Sequence, residues 1–475
     1  MKMCRNVWLL VLSVGIVWSF MVGMPSTAFA QAGASAAVAE TTPEPVGADS
    51  SASADNWADF VARTKKPAPW FTWGGDVRLR ETYATATTTS ADAHFQRFRT
   101  RLWATITPIE DIDLNFRLVY EPRHVCKPDS SDSWVNNEAL FDIFNVTWRN
   151  AFGQPLRFVI GRQDIFLGDG WLVAEGTPED GSRTTFFDAV RATYELRDVN
   201  TVIDAIYVDQ SATADRWFDP FCNKRVPLIG QDERGGLVWV QNKSLKNTEI
   251  NGFFIYKHDM RASARRVGNA VGYSGNSYTY GGRIVHDFND NLQFAGDIAQ
   301  QLGDRNGNTL CAWGANTKLT YFMRDEYDNQ FRIGYEYLSG DKPGTGTDES
   351  FSAPWGRWAR LGDLASYMFT GESRIADHTN MHRLQAGWSI KPVEQLELAL
   401  DYHLLFADQN TLRDSRTYSR KGAFRGQLGT ATLKYKLNQH VSGHLTGEVF
   451  CPGNYYSSNN NDAEFFLRYE LMLTW

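Results

Sequence analysis

The sequence predicts an all-β protein, a transmembrane antiparallel β-barrel of about 18 strands with short periplasmic turns and long extracellular loops. From residue 69 onward, runs of about ten residues alternate between polar and apolar side chains, which places one face toward lipid and the other toward water. The connections between these runs alternate between short and long. Aromatic residues make up 13% of the chain, with 16 tryptophans, and such side chains suit the two membrane interfaces.

The start of the chain predicts export from the cytoplasm. Lys2 and Arg5 precede the apolar stretch 7–20, and Ala28 and Ala30 form a small-x-small cleavage site, the pattern of a signal peptide. The segment that follows is rich in Ala, Ser, Thr and Pro and predicts a flexible leader. We therefore expect three segments, which are a signal peptide at 1–30, a leader at 31–66 and the barrel at 67–475.

Composition and charge exclude several classes of protein. The mean hydropathy of −0.39 argues against a bundle of membrane helices after the first segment. Loss of Lys2 and Arg5 removes two positive charges and takes the formal net charge from −7 to −9, which argues against nucleic acid as a partner. No His/Cys cluster has metal-ligand spacing and no phosphate-binding glycine loop precedes a helix, so we expect no metal and no cofactor.

Four cysteines remain once the signal peptide is removed, and they are Cys126, Cys222, Cys311 and Cys451. An oxidising cell envelope allows disulfides to form. Cys126 and Cys222 fall in predicted loops on the same side of the barrel, which makes them the first pair to test. Buried thiols are the alternative.

The last stretch, residues 463–475, has the pattern of a membrane-spanning strand. Its two faces alternate strictly, and the final residue, Trp475, lies on the apolar face. An aromatic ring in this position suits the headgroup level of a bilayer, whereas an ordinary edge or sandwich strand is the alternative for this segment alone. The apolar face comprises Phe465, Leu467, Tyr469, Leu471, Leu473 and Trp475, and the other face comprises Glu464, Phe466, Arg468, Glu470, Met472 and Thr474.

The first strands show the same alternation. In residues 71–83, Val77 and Leu79 oppose Arg78 and Arg80. Residues 95–107 carry three arginines that alternate with apolar side chains, which suits the wall of a polar lumen better than a soluble surface. Residues 112–121 form the most regular internal strand. Further strands are predicted at 140–148, 156–165, 186–196, 202–208, 235–241, 249–258, 276–286, 292–301, 312–323, 330–337, 382–390, 396–406, 427–437 and 441–450.

Connection lengths supply an independent check on this assignment. Short turns on one side and long loops on the other are expected for the periplasmic and external faces of an outer-membrane barrel. A propeller or sandwich would not keep this parity over so many hairpins, so we expect the protein in the bacterial outer membrane. The short connections are 197–201, 242–248, 288–291, 391–395 and 438–440, and the long ones are 210–234, 259–275, 338–381 and 407–425.

One motif points to a family. Gly161-Arg162-Gln163 ends a predicted strand and Gly168-Asp169 follows it; after a polar loop comes Arg183-Thr184-Thr185-Phe186-Phe187-Asp188-Ala189-Val190-Arg191. This arrangement resembles the alginate-export family of outer-membrane porins. The resemblance extends from Trp70 to Trp475, and its sharp match is confined to residues 161–191. It implies a barrel of about 18 strands with an arginine-rich constriction for an anionic polysaccharide.

Strand parity selects the side chains that we expect to face the lumen. A guanidinium can grip a carboxylate with two parallel hydrogen bonds while it stays charged, and rings of Arg or Lys make pores select anions. Inward carboxylates are expected to hold these arginines or to narrow the path, and they are Asp76, Asp113, Glu121, Glu336, Glu397, Asp401, Glu464 and Glu470. The arginines expected to line the substrate path are Arg78, Arg80, Arg97, Arg99, Arg101, Arg117, Arg162, Arg191, Arg283, Arg332, Arg383 and Arg468.

A structural role competes with this interpretation. For any single arginine, an ion pair that fills a wide lumen is the stronger alternative. One group is different, because three neighbouring strands present six like charges that the nearby carboxylates compensate only in part. That group, which we call the arginine cluster, consists of Arg78, Arg80, Arg97, Arg99, Arg101 and Arg117.

These observations predict an outer-membrane porin that passively conducts an anionic polysaccharide, such as alginate, outward from the periplasm. A porin for the uptake of small acidic solutes or oligosaccharides is the alternative. The expected partners are the acidic substrate, outer-membrane lipid and periplasmic export proteins. An enzyme is disfavoured and no catalytic residue is expected, because Ser442 and His444 share a face without any nucleophile motif. The long connection 338–381 either enters the pore mouth or decorates the outside.

Overall fold

The computed structural model describes most of the predicted barrel. The predicted signal peptide and the leader up to residue 62 lie outside the described residues, as do Cys222 and the Arg183-Thr184-Thr185 part of the motif. The described residues are 63–85, 92–128, 133–135, 139–175, 186–221, 228–260, 266–267, 270–356, 361–372, 378–412, 417–419, 422–459 and 461–475.

Eighteen long strands, β1 to β18 in chain order, form one antiparallel sheet in this part of the chain. All of them coincide with predicted strands, with ends that differ by a few residues. Their bounds are Phe71–Ala84, Ala93–Ile109, Ile112–Tyr120, Ala139–Trp148, Leu156–Gln163, Phe187–Leu196, Thr201–Gln210, Asp232–Asn242, Thr248–Met260, Gly275–Asp287, Leu292–Arg305, Asn308–Phe322, Gln330–Leu338, Met381–Val393, Leu396–Phe406, Phe424–Lys436, Val441–Pro452 and Glu464–Thr474.

The last strand closes the barrel. β18 pairs antiparallel with β1, in a register that sets Arg80 opposite Glu470 and Leu79 opposite Leu471. The other neighbours in the barrel are consecutive long strands of the chain. The predicted closed barrel of about 18 strands is therefore confirmed. Closure leaves no unpaired sheet edge, which matters in a bilayer because hydrocarbon offers no partner for a backbone N–H or C=O group.

The two faces of the wall differ in exposure as the alternation predicts. On β18, Leu467 and Tyr469 are 52% and 47% exposed, whereas Phe466 and Arg468 are buried. On β2, Leu102 is 45% exposed and lies on the outer face. Because side chains alternate with a period of two, a slip of one residue would turn every arginine toward lipid, so the apolar face fixes the register.

The connections keep the expected parity, with one exception. β6 and β7 are joined by residues 197–200 and β14 and β15 by residues 394–395, whereas β13 and β14 are separated by residues 339–380. On the long-loop side, β11 and β12 are joined only by Asn306 and Gly307. Both residues have positive φ, 52° and 90°, which is the conformation that a tight two-residue hairpin requires.

Two long connections enter the barrel instead of decorating its outside. The β13–β14 loop (residues 339–380) carries Phe351, Trp355 and a helix, α1 (Asp363–Glu372), and residues 164–175 of the β5–β6 connection carry Trp171. Phe351, Trp355 and Trp171 are all buried, and they belong to one apolar cluster with inner-face residues of the wall. The apolar core of this molecule thus lies inside the barrel, where the loops meet the wall.

Short elements complete the described structure. Most are local hairpins in the connections. One hairpin extends the wall, since Arg97 of β2 pairs with Arg123, and the segment Thr347–Asp348 of the β13–β14 loop pairs in parallel with the start of β12. No helix in the described ranges combines the length and apolarity needed to cross a membrane. The short strands are Arg123–Lys127, Ser133–Val135, Ile165–Leu167, Val173–Glu175, Arg266–Val267, Ala270–Val271 and Thr347–Asp348, and the 3-10 turns are Ala151–Gly153 and Arg197–Val199.

The cysteines differ from the first expectation. Cys126 is a thiol, with its Sγ 3.5 Å from Nδ1 of His124, so the disulfide considered between Cys126 and Cys222 is not formed. Cys311 is also a thiol, and Cys451 is disulfide-bonded. Sequence spacing alone did not reveal this, because a disulfide depends on Cα positions that only the folded loops fix.

Candidate functional site

The arginine cluster lies on the inner face of β1, β2 and β3, and carboxylates hold part of it. Arg78 Nη2 lies 2.5 Å from Oε2 of Glu121. Arg80 Nε donates a hydrogen bond to Oε2 of Glu470 at 2.8 Å, across the β1–β18 closure. All four side chains are buried. These pairs are charge-assisted hydrogen bonds between buried side chains, so they fix the two guanidinium groups in place.

Arg97 and Arg99 are the least compensated members of the cluster. Arg99 is 3% exposed, and its closest carboxylate oxygen, Oδ1 of Asp76, is 3.7 Å away. Asp76 already accepts a hydrogen bond from Nε of Arg101 at 2.8 Å. Nε and Nη1 of Arg99 have no hydrogen-bond partner among the described residues. Arg97 forms no ion pair within the same part of the chain, and its guanidinium lies 4.8 Å from the ring centroid of Phe95.

A buried guanidinium with unused donors is unfavourable, because the desolvation cost of each donor is not repaid by a bond. A carboxylate that reached Arg99 would supply the missing partner. The arrangement therefore leaves uncompensated positive charge at this part of the wall, while the neighbouring ion pairs hold the other wall side chains in position.

Arg117 connects the cluster to the next strands. Its Nε donates to Oδ1 of Asp142 at 2.8 Å, and its Nη2 donates to Oδ2 of Asp164 at 3.0 Å. Asp142 is fully buried on β4, and Asp164 directly follows β5. Burial raises the pKa of Asp164 above its ordinary value, and Arg117 opposes this rise. Arg117 is thus doubly paired, which leaves Arg97 and Arg99 as the positions where positive charge is in excess.

Four inner-face arginines on the other strands form compensated pairs. Three reach a carboxylate on the adjacent strand, and Arg332 on β13 reaches Asp401 on β15, two strands away, so ion pairs fill much of the lumen wall. The shortest separations are 2.7 Å for Arg191–Asp204, 2.6 Å for Arg283–Asp297, 3.3 Å for Arg332–Asp401 and 2.9 Å for Arg383–Glu336.

The β13–β14 loop reaches the cluster through α1. The carboxylate of Glu448 on β17 accepts hydrogen bonds from the backbone N–H groups of Asp363 at 2.9 Å and Leu364 at 2.8 Å. A carboxylate is favourable at this end of a helix because the unpaired N–H groups carry partial positive charge. Asp363 also accepts a hydrogen bond from Nη1 of Arg468 at 2.7 Å. The loop thereby places an acidic side chain beside the arginines of β18 and β1.

The side chains on α1 feel the charges of the cluster. Burial raises the pKa of the Asp363 carboxyl above its usual range, while Arg80 and Arg97 oppose that shift. Burial and the nearby Asp363 raise the pKa of Tyr367 to about 12. Both groups therefore lie close enough to the arginine cluster to interact with it electrostatically.

Two tryptophans fasten the inward loops to the wall. Trp171 Nε1 donates to Oε1 of Glu336 at 2.9 Å, and Trp355 Nε1 donates to Oε2 of Glu233 at 3.1 Å. Trp171 stacks on Phe351, with ring centroids 5.6 Å apart. The backbones of the two loops also join, since Trp355 N donates to O of Leu172 at 3.0 Å. Both loops therefore occupy part of the lumen cross-section.

The sequence motif has a structural role in this fold. Gly161 has φ of +120°, and a Cβ there would lie 2.4 Å from O of Phe144, so only glycine fits. Arg162 uses four of its five N–H groups, two toward Asp188 at 2.9 and 3.3 Å and one each toward O of Phe141 and O of Ala214. Arg162 was expected in the substrate path, but its donors are committed to the wall.

Replacing Arg162 with Gln is expected to destabilise the barrel by about 3–5 kcal/mol, because Asp188 would be left buried without its charged partner. Denaturant unfolding of the detergent-solubilised protein measures this change. Arg157→Gln on the same strand, where Arg157 is exposed, is the matched control and should have little effect. Equal stability of the two variants would contradict the structural assignment of the motif.

The Ser442 and His444 pair, considered as a catalytic arrangement, is not assembled as one. His444 Nε2 lies 3.0 Å from Nε of Arg468, and its Nδ1 lies 3.6 Å from Oε1 of Glu470. Ser442 makes no hydrogen bond to His444 in the described structure. His444 is therefore part of the ion-pair network around the β17–β18 wall.

Sequence reasoning missed several partners of the arginines. Strand parity would have identified Asp142 and Asp204, because both alternate with apolar neighbours on their strands. No local pattern identifies Asp363 or Asp164, which lie in the inward loops. Their positions follow from how the loops pack inside the barrel.

Comparisons with known proteins agree with this fold. The model of the alginate export family matches residues 70–466. Among solved structures, OccK5 (OpdH) of Pseudomonas aeruginosa has a TM-score of 0.53 and 10% identity, with 85% of this chain and 98% of that chain covered. The structure of Pseudomonas aeruginosa OpdK with vanillate has a TM-score of 0.53 and 11% identity, with 85% and 99% covered. No curated protein matches the sequence.

The family match spans most of the chain, and the solved structures share its closed barrel over nearly their whole length. The match also includes the region of the Gly-Arg-Gln motif from which the resemblance was first inferred. The chain therefore belongs to the alginate-export family and is a β-barrel channel of the bacterial outer membrane.

Proposed function

We propose that this channel passively conducts an anionic polysaccharide of uronic acids, such as alginate, outward from the periplasm along its arginines. The observation that carries this proposal is Arg99, a buried guanidinium whose Nε and Nη1 have no partner in the described structure. Arg97 beside it lacks an ion pair there. A uronate presents one carboxylate per sugar ring. A carboxylate is the kind of acceptor that Arg97 and Arg99 need.

Transport requires contacts that are numerous and weak, so a track of charges suits it better than one tight site. Arg97 and Arg99 form the strongest part of the proposed track, and the paired arginines on the other strands contribute a weaker positive field. Arg162 is left out because it is committed to Asp188. We assign no catalytic role to Ser442 or His444, and no cofactor. Periplasmic export proteins would supply the polysaccharide.

Planar-bilayer recording of the purified full chain tests the proposal. We expect anion preference in a salt gradient and concentration-dependent block of the current by oligouronates added on the periplasmic side. Neutral oligosaccharides of equal length are the control and should block far less. Cation preference, or equal block by neutral and acidic oligosaccharides, would contradict the proposal.

The uptake of small acidic solutes is the second candidate. The inward β13–β14 loop favours it, because Trp355 and α1 occupy part of the lumen that a polymer has to pass. The two candidates differ in the dependence on chain length. Block that strengthens from monomer to hexamer favours the polysaccharide, whereas equal affinity for monomer and hexamer favours the small solute.

A further inference from the structure

Trp103 lies on the inner face of β2, and its ring stacks on no other aromatic ring of the described residues. It lies two positions from Arg101 and four from Arg99, so all three side chains point to the same side of the wall. Trp103 is half-buried, unlike the fully buried Trp171 and Trp355 of the inward loops. The other aromatic side chain on this face of β2, Phe95, is buried beneath the guanidinium groups of Arg97 and Arg123, so Trp103 is the one with exposed ring surface.

The indole N–H group of Trp103 also lacks a hydrogen-bond partner in the described part of the chain. By contrast, Nε1 of Trp239 donates to Asn251 at 3.1 Å and Nε1 of Trp388 donates to Asn329 at 2.9 Å. Buried tryptophans usually find a partner for their N–H group, and Trp171, Trp239 and Trp355 inside the barrel do so, which Trp103 does not.

The neighbouring strand makes room for the ring. A Cβ at Gly74 would lie 2.8 to 2.9 Å from Nε1, Cε2 and Cζ2 of Trp103. Three adjacent ring atoms at nearly equal distance mean that the flat face of the indole covers Gly74. One face thus rests on the wall, and the half-exposed remainder of the ring is open to a ligand.

We propose that Trp103 is a stacking platform for one pyranose ring of the polysaccharide, about 13 Å along β2 from the carboxylate site at Arg99. The C–H groups on a sugar face carry partial positive charge, and the face of an aromatic ring is negative, so the two attract while both lose water. The indole N–H adds a donor for a sugar hydroxyl. This proposal rests on the proposed function and adds that the channel recognises the sugar ring as well as its charge.

The site separates two chemical properties of the substrate. Arg99 responds to any carboxylate, whereas Trp103 responds to a sugar ring of either charge. A hexauronate uses both, and a hexaglutamate of the same charge uses only the guanidinium. The two probes therefore distinguish recognition of the ring from recognition of the charge.

Block of the single-channel current by these two probes tests the platform. For Trp103→Ala, we expect the blocking constant of hexauronate to weaken about tenfold, equivalent to about 1.4 kcal/mol, and that of hexaglutamate to stay unchanged. Trp103→Phe should retain most of the affinity. Gly74→Ala, which displaces the ring without removing it, should weaken hexauronate block alone. Trp388→Ala, on the outer face, is the matched control.

The outcomes separate this inference from the proposed function. Unchanged hexauronate block in Trp103→Ala, or an equal loss for both probes, would overturn the platform while the charge-based function stands. Wild-type channels that hexauronate does not block would refute the proposed function and the platform together. Retained heat-dependent mobility in gels shows that each variant is a folded barrel, and Gly74→Ala supplies a second test if Trp103→Ala does not fold.

Discussion

Replacing Arg97, Arg99 and Arg101 together with glutamine is expected to turn the channel from anion-preferring to cation-preferring. Three positive charges leave the inner face, while the carboxylates of Asp76 and Glu121 stay in place. In a pore wall of low dielectric, a change of three charges acts strongly on every ion that passes. Glutamine keeps the length and polarity of the side chain, so the change is mainly one of charge.

The reversal potential in a salt gradient measures this effect, and block by oligouronates gives a second readout. Each charge-assisted contact contributes about 1.5–3 kcal/mol, so loss of one contact should weaken block at least about tenfold. Replacing Arg149, Arg197 and Arg324 at the short turns removes the same charge outside the cluster and is the control. A triple variant that keeps its anion preference would remove the basis of the arginine track.

Shortening the inward loop is expected to raise the single-channel conductance severalfold. Replacing residues 343–378 with a short Gly-Ser linker removes Phe351, Trp355 and α1 from the lumen. It also frees Glu448, Arg468 and Glu233, whose bonds to the loop would be replaced by water. The pore then has a wider and more polar cross-section, which admits more ions at the same voltage.

Conductance in high salt tests this prediction, because screening reduces the contribution of wall charge. Only Thr309 and Leu310 at the start of β12 pair with the loop, at Thr347 and Asp348, and the long strands otherwise pair with one another, so folding in detergent should persist. Replacing residues 216–221 of the β7–β8 connection, where Trp217 and Phe221 are exposed, is the control and should leave the conductance unchanged. Equal conductance of the shortened and wild-type channels would show that the loop does not limit the current.

The strands and their faces were predictable because the signal is local. On β18, the alternation of Leu467 and Tyr469 with Arg468 and Glu470 identifies the lipid face without any knowledge of the neighbours. The same alternation on β2 predicted that Arg97, Arg99 and Arg101 share a face. A bilayer imposes this pattern on every strand, so about ten residues suffice to read it.

The state of each arginine was not predictable, because charge compensation is set by register and by residues far apart in the chain. Glu470 pairs with Arg80 only because β18 closes on β1, and Asp363 reaches Arg468 only because α1 folds inward. Arg162 illustrates this. Its place in the sequence predicted a position in the substrate path, but in the structure its guanidinium is bonded to Asp188. Strand alternation predicts which face of the wall a side chain lies on. Whether its N–H groups are bonded depends on all the acceptors that the fold brings near it.

The sequence by itself determined that this chain is a closed barrel in the outer membrane with an arginine-bearing lumen, because strand alternation and loop parity are local patterns that the bilayer enforces. The tertiary structure alone decided which buried N–H groups of Arg99 lack a hydrogen-bond partner, where Trp103 presents its ring and how far the inward loops fill the lumen. Those features depend on strand register and loop packing, and both are fixed by contacts between segments that lie hundreds of residues apart.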